Sequence, residues 1–105
     1  MPSTKEYLDF ILEQLSGAEE VTYRAMMGEY ILYYKGRIFG GVYDNRLLVK
    51  PVAAARSLMP DAAAELPYEG AKEMLLVDNL DDREFLADLL EAVYPELPAP
   101  RKNKK

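Results

Sequence analysis

The chain has 105 residues, half of them hydrophobic and 30% charged, which suits one domain burying roughly two-thirds of the surface its unfolded form exposes and does not suit disorder. It contains no His and no Cys, so disulfide scaffolds, thiolate or imidazole metal sites, a Ser–His triad and a near-neutral imidazole proton shuttle are all excluded. The net charge of −5 hides a division: all 18 acids and nine of the 13 bases fall in residues 1–100, a body of net −9, and the other four bases are Arg101, Lys102, Lys104 and Lys105.

Ser3 followed by Glu6 has capping-box spacing and predicts a helix start. Tyr7, Leu8, Ile11, Leu12 and Leu15 then recur on one stripe, with Lys5, Asp9 and Glu13 outward, until Ser16-Gly17 ends the pattern. From Val21 the apolar period drops from about 3.6 to 2, and β-branched and aromatic residues take over. Four strands are predicted, near Val21 to Met26, Tyr30 to Tyr34, Arg37 to Tyr43 and Arg46 to Lys50. Gly28 relieves the first connection. Lys35-Gly36 and Asp44-Asn45 are short enough for tight hairpins, whose positive φ angles Gly and Asn tolerate, so consecutive antiparallel pairing follows. Plain alternation in the third strand puts Ile38, Gly40 and Val42 on one face and Phe39, Gly41 and Tyr43 on the other. The adjacent Gly40 and Gly41 point to a bulge or to close approach by a helix.

Pro51 stops the fourth strand, and Ala-rich Val52 to Met59 predicts a short crossover helix closed by Pro60. Asp61 to Gly70 has no period and reads as loop, before Lys72 to Val77 offers one more strand for a sheet edge. Asn79 or Asp81 caps a closing helix with Phe85, Leu86, Leu89, Leu90 and Val93 as its apolar stripe and Pro95 as its stop. The expected fold is α+β and two-layer: an antiparallel sheet of four to five strands with a leading, a crossover and a closing helix over residues 1–97, then a disordered basic tail at 98–105. No apolar run approaches the roughly 18 residues of a membrane span, and PSTKEYLDF has no signal-peptide layout, so a cytoplasmic location is expected.

Gly36, Gly40 and Gly41 match neither GxGxxG nor the Walker loop, and hairpins account for them. Tyr23, Tyr30, Tyr33, Tyr34, Phe39 and Tyr43 are interleaved with Arg24, Lys35, Arg37, Arg46 and Lys50, a pattern that could stack bases. The acidic body repels a phosphate backbone and the aromatic pattern of an RNA-recognition motif is absent, so direct nucleic-acid binding is disfavoured and the tail is left with weak, salt-sensitive contacts. Met26 and Met27 suit an adaptable protein interface, although core filling is the commoner use of such residues. Asp81-Asp82 opens a helix and Glu19-Glu20 follows one, which favours a structural role over a divalent cation. No metal or cofactor is expected.

The stretch RAMMGEYILYYKGRIFGGVYDNRLLVK, Arg24 to Lys50, resembles the N-terminal domain of the TfoX/Sxy family through Arg24, Met26, Met27, Gly28, Tyr30, Gly36, Phe39, Leu48 and Lys50. The order of leading, crossover and closing helices also fits. Glu29 stands where many relatives have a second Gly, and the stretch after Pro67-Tyr68 diverges. The resemblance implies a fold similar to secretion-chaperone-like domains, homodimerisation through the sheet or a helix, no enzyme activity, and a part in competence regulation as a coactivator of a DNA-binding partner. The C-terminal helical domain of many members has no counterpart in these residues. A non-catalytic regulatory or protein-interaction module is therefore expected, its surface being the exposed meander face with Arg24, Tyr30, Tyr34 and Lys50. The alternatives are a small-molecule-binding domain with a cleft between sheet and helices carrying Tyr33, Lys50 or Arg46, and weak nucleic-acid binding through meander and tail.

Overall fold

A computed structural model describes residues 3–97; the expected tail at 98–105 lies outside them. Helix α1 spans Lys5–Gln14 and runs into a 3-10 turn at Leu15–Gly17. Its cap is Thr4, whose Oγ1 accepts from the Tyr7 amide at 3.1 Å. Ser3, the expected cap, is instead buried and turned to Glu29. The predicted stripe holds, with Leu8, Ile11 and Leu15 in the core and Tyr7 and Leu12 at its margin.

Four strands follow, β1 (Val21–Met26), β2 (Glu29–Tyr34), β3 (Arg37–Val42) and β4 (Leu47–Val49), then helix α2 (Ala53–Leu58), strands β5 (Ala64–Glu65) and β6 (Met74–Leu76), and helix α3 (Arg83–Val93) capped by Asp82. The sheet is antiparallel with order β1-β2-β3-β4-β6-β5. It has six strands because β5, hidden in the stretch read as loop, pairs Ala64 with Leu75 and Glu65 with Met74. Two residues are too few to show a period.

All three helices share one core with one face of the sheet. Leu32, Phe39, Val42, Leu47 and Val49 meet Leu8 and Ile11 of α1, Ala55 of α2 and Leu86, Leu89 and Leu90 of α3. The meander turns are tight because both central residues take positive φ: Met27 52° and Gly28 86°, Lys35 52° and Gly36 85°, Asp44 55° and Asn45 54°, the geometry that matches strand twist.

The alternation expected along β3 is broken by a bulge. Ile38 pairs with Tyr33 and Gly40 with Leu32, so Phe39 has no partner across the ladder. The extra residue sends Phe39, Gly40 and Val42 toward the helices and Ile38, Gly41 and Tyr43 away from them, correcting the faces read from simple alternation. The close approach at Gly40 is by a strand, not a helix. A Cβ there would run into the Leu48 carbonyl oxygen and come within 2.8 Å of Val49 Cα. These are backbone atoms held by the ladder, so Gly40→Ala is expected to cost about 3 kcal/mol. The check is a lower urea midpoint at unchanged slope.

Candidate interaction surface

Pairing fixes what each face of the sheet presents. Val21, Tyr23 and Ala25 of β1 stand opposite Tyr34, Leu32 and Tyr30 on the helix side, whereas Thr22, Arg24 and Met26 stand opposite Tyr33, Ile31 and Glu29 on the outer side. Among the described residues no helix covers the outer side. Ile31, Tyr33 and Ile38 continue the strip that starts at Arg24 and Met26. Met27, at the tip of the β1–β2 turn, is 95% exposed in a left-handed backbone conformation. Core filling is thus not its role. An unbranched thioether held out at a strained position is a feature of contact surfaces more than of folding.

Further along the outer side, β3, the segment that follows β4 and the 66–73 loop form a cavity of 430 Å³ lined by Ile38, Tyr43, Lys50, Pro67, Tyr68 and Lys72, among others. The rings of Tyr43 and Tyr68 sit 6.2 Å apart. Burial, then the neighbouring Tyr68, Glu29 and Tyr33, pushes the Tyr43 phenol above its usual range. Among the described residues neither Lys50 nor Lys72 has an ion-pair partner. Arg46 does: it pairs with Glu65 and donates to the Leu66 carbonyl, anchoring β5 and the loop.

The four residues expected to share one surface do not. Arg24 is exposed on the outer side at the sheet edge, and Lys50 lines the cavity beyond β3. Tyr30 and Tyr34 face the helices. Tyr34 is 2% exposed and donates its hydroxyl to Glu91 Oε2 at 3.0 Å. Likewise Tyr33, Lys50 and Arg46 do not line a cleft between sheet and helices, since that space is filled by the core and all three belong to the outer side.

On the helix side, Arg37 stacks on the Tyr94 ring at 4.5 Å and donates to the carbonyls of Tyr94 and Leu97 at 3.3 Å each, binding the end of α3 to the sheet. A guanidinium suits carbonyls left open at a helix C-terminus. Glu29 closes the opposite corner. Its Oε1 accepts from the Ser3 hydroxyl at 2.8 Å and the Asp44 amide at 3.1 Å, while Asn45 Oδ1 accepts from the Thr4 amide at 3.0 Å. This carboxylate therefore ties the start of α1 to two hairpins. Nothing in its sequence neighbourhood signals this, because its partners are 15 and 26 residues away. Among the described residues no group of three or more carboxylates could hold a metal ion, and no helix is long and apolar enough to cross a membrane.

A small α+β domain with one sheet face left free of helices among the described residues is the class that this architecture defines. The model of the TfoX N-terminal domain matches residues 13–94, and the chain belongs to that family. It is 32% identical over 105 residues, 99% of this chain and 91% of the relative, to an uncharacterized 12.7 kDa protein in the trpE 5′ region of Spirochaeta aurantia. No solved structure matches it.

Burial, followed by the Glu91 hydrogen bond, raises the Tyr34 phenol above its usual range. A raised folded value means the fold prefers the protonated ring. That contribution is complete below about pH 10, the unfolded value, and is lost as pH rises through the folded one. Urea midpoints should therefore fall above about pH 10, and Tyr34→Phe should flatten that fall while costing about 1 kcal/mol at neutral pH.

Proposed function

We propose that this chain is a non-catalytic protein-interaction module with a regulatory role, binding through the outer sheet side around Arg24, Met26, Met27, Ile31 and Tyr33. The observation that carries this reading is Met27, 95% exposed beside an Arg24 that has no ion-pair partner among the described residues. Exposed apolar area next to an unengaged guanidinium is the composition of interface anchors. Membership of the TfoX family supports a role in controlling DNA-uptake competence through a DNA-binding regulator, with this domain supplying contacts to protein and the acidic body keeping it off the nucleic acid itself. Cytoplasmic location fits that role. The test is retention of a stoichiometric protein by the immobilised chain. Met27→Asp and Arg24→Glu should each weaken retention about tenfold or more while leaving the melting temperature unchanged; equal retention by both variants would contradict the reading.

A second reading rests on the outer-side cavity. Two lysines on a wall of Tyr43, Tyr68 and Ile38 suit a small aromatic carboxylate, with the ring on the tyrosines and the anion on Lys50 and Lys72. Benzoate and indole-3-acetate, tested at about 100 times their dissociation constants, should stabilise by about 2.7 kcal/mol. That is a melting shift of at least about 8 °C, abolished in the Lys50→Gln, Lys72→Gln double variant. No shift with either compound would remove this reading.

A further inference from the structure

We infer that β1 pairs antiparallel with β1 of a second copy of this chain, joining two sheets into one, with Tyr23 of each copy seated over a groove of the other. The inference rests on the reading of the chain as an interaction module and names one partner of its sheet edge.

The two-residue turn at Met27-Gly28 makes Met26 and Glu29 the terminal hydrogen-bonded pair of their hairpin. Thr22, Arg24 and Met26 accordingly spend their backbone groups on β2, and the Lys35 amide donating to Glu20 O at 3.0 Å continues the same phase. Val21, Tyr23 and Ala25 must then turn N–H and C=O outward. The edge strand is six residues long and contains no Pro and no bulge, devices that normally prevent edge pairing, and its one charge, Arg24, projects from the outer face and finds acids in the antiparallel partner. The opposite edge, β5, is only two residues long.

Self-pairing is favoured over an unrelated strand by charge and by shape. Glu19 and Glu20 precede β1 and Arg24 lies in its second half, so only antiparallel alignment brings each Arg24 toward the other copy's acids. Centring the two-fold axis on Tyr23 uses all three outward-facing residues: Tyr23 meets Tyr23, Val21 meets Ala25, and Arg24 faces Thr22 with Glu20 on the diagonal. Other registers lose this fit: centring on Arg24 opposes the two guanidiniums, and centring on Thr22 reaches the left-handed Glu20, φ 62°. On the helix side a groove of 420 Å³ opens beside the edge, lined by Leu12, Leu15, Ala18, Val21 and Tyr23 among others. Tyr23, 42% exposed against Tyr30, reaches diagonally across the axis to cover it, as aromatic side chains do between strands. A two-fold axis perpendicular to the sheet keeps both helical layers on one side, and the two outer strips become continuous with their Met27 tips at opposite ends.

The experiment uses the full chain. Light scattering should give twice the 11.9 kDa chain mass. Because the chain has no native Cys, Tyr23→Cys carries one thiol, opposed to its twin across a hydrogen-bonded pair with Cα atoms about 5.5 Å apart, within disulfide reach. It should oxidise to a covalent dimer, whereas Met27→Cys should not. Ala25→Pro removes an outward N–H without touching the β1–β2 ladder and should shift the mass to monomer with circular dichroism unchanged. If that variant does not fold, Ala25→Lys, which places a charge on the paired edge, should do the same. A monomer at all concentrations, or a dimer that survives the Ala25 variants while the Tyr23→Cys thiol stays reduced, overturns the inference. Neither result touches the outer-strip reading, which stands or falls on the Met27 and Arg24 variants.

Discussion

The fold depends on the contact between β3 and β4 at Gly40. Backbone meets backbone there so closely that no side chain fits, and the residue before it, Phe39, bulges out of register. This one irregularity decides which side of the sheet each residue after it serves. With it, Phe39 and Val42 complete the core under the helices, and Ile38, Gly41 and Tyr43 are turned outward. Without it, Ile38 could not share a face with Gly41 and Tyr43, and the outer side would lose its apolar continuity.

The two sides of the sheet are consequently unequal in what they have left to offer. On the helix side the polar groups are spent on structure: Tyr34 on Glu91, Arg37 on the end of α3, Asp82 and Thr4 on helix caps. Arg46 and Glu65 are spent similarly in fastening β5. The basic groups without partners among the described residues, Arg24, Lys50 and Lys72, are on the outer side or its rim. A chain lacking His and Cys has few means of activating a nucleophile or moving a proton near neutral pH.

Much of the fold was legible because local rules and tertiary packing agree in it. The apolar stripes of α1 and α3, the bounds of β1 and the two-residue turns at Lys35-Gly36 and Asp44-Asn45 follow from period and turn chemistry alone. Three features were not legible, each because its cause is non-local. β5 exists only because β6 offers it an edge. The cap moved from Ser3 to Thr4 because Glu29, 26 residues away, holds the Ser3 hydroxyl. The strand faces were misassigned after Phe39, since Gly40-Gly41 signals a bulge without saying which residue is the extra one. The candidate surface suffered directly from this kind of limit. Tyr30 and Tyr34 have the composition of an exposed aromatic strip, and only pairing with β1 and β3 shows that they face the core, while Met27 was discounted because methionine usually fills cores.

The central claim is that the uncovered β1 edge of this sheet is where two copies of the protein meet. Hydrogen exchange at the amides of Val21, Tyr23 and Ala25, followed over a wide range of protein concentration, tests it most directly. The account predicts that these three amides become protected together as concentration rises, at the concentration where mass doubles, while those of Thr22, Arg24 and Met26, already bonded to β2, are protected throughout. Exchange of Val21, Tyr23 and Ala25 at unprotected rates at every concentration would contradict it.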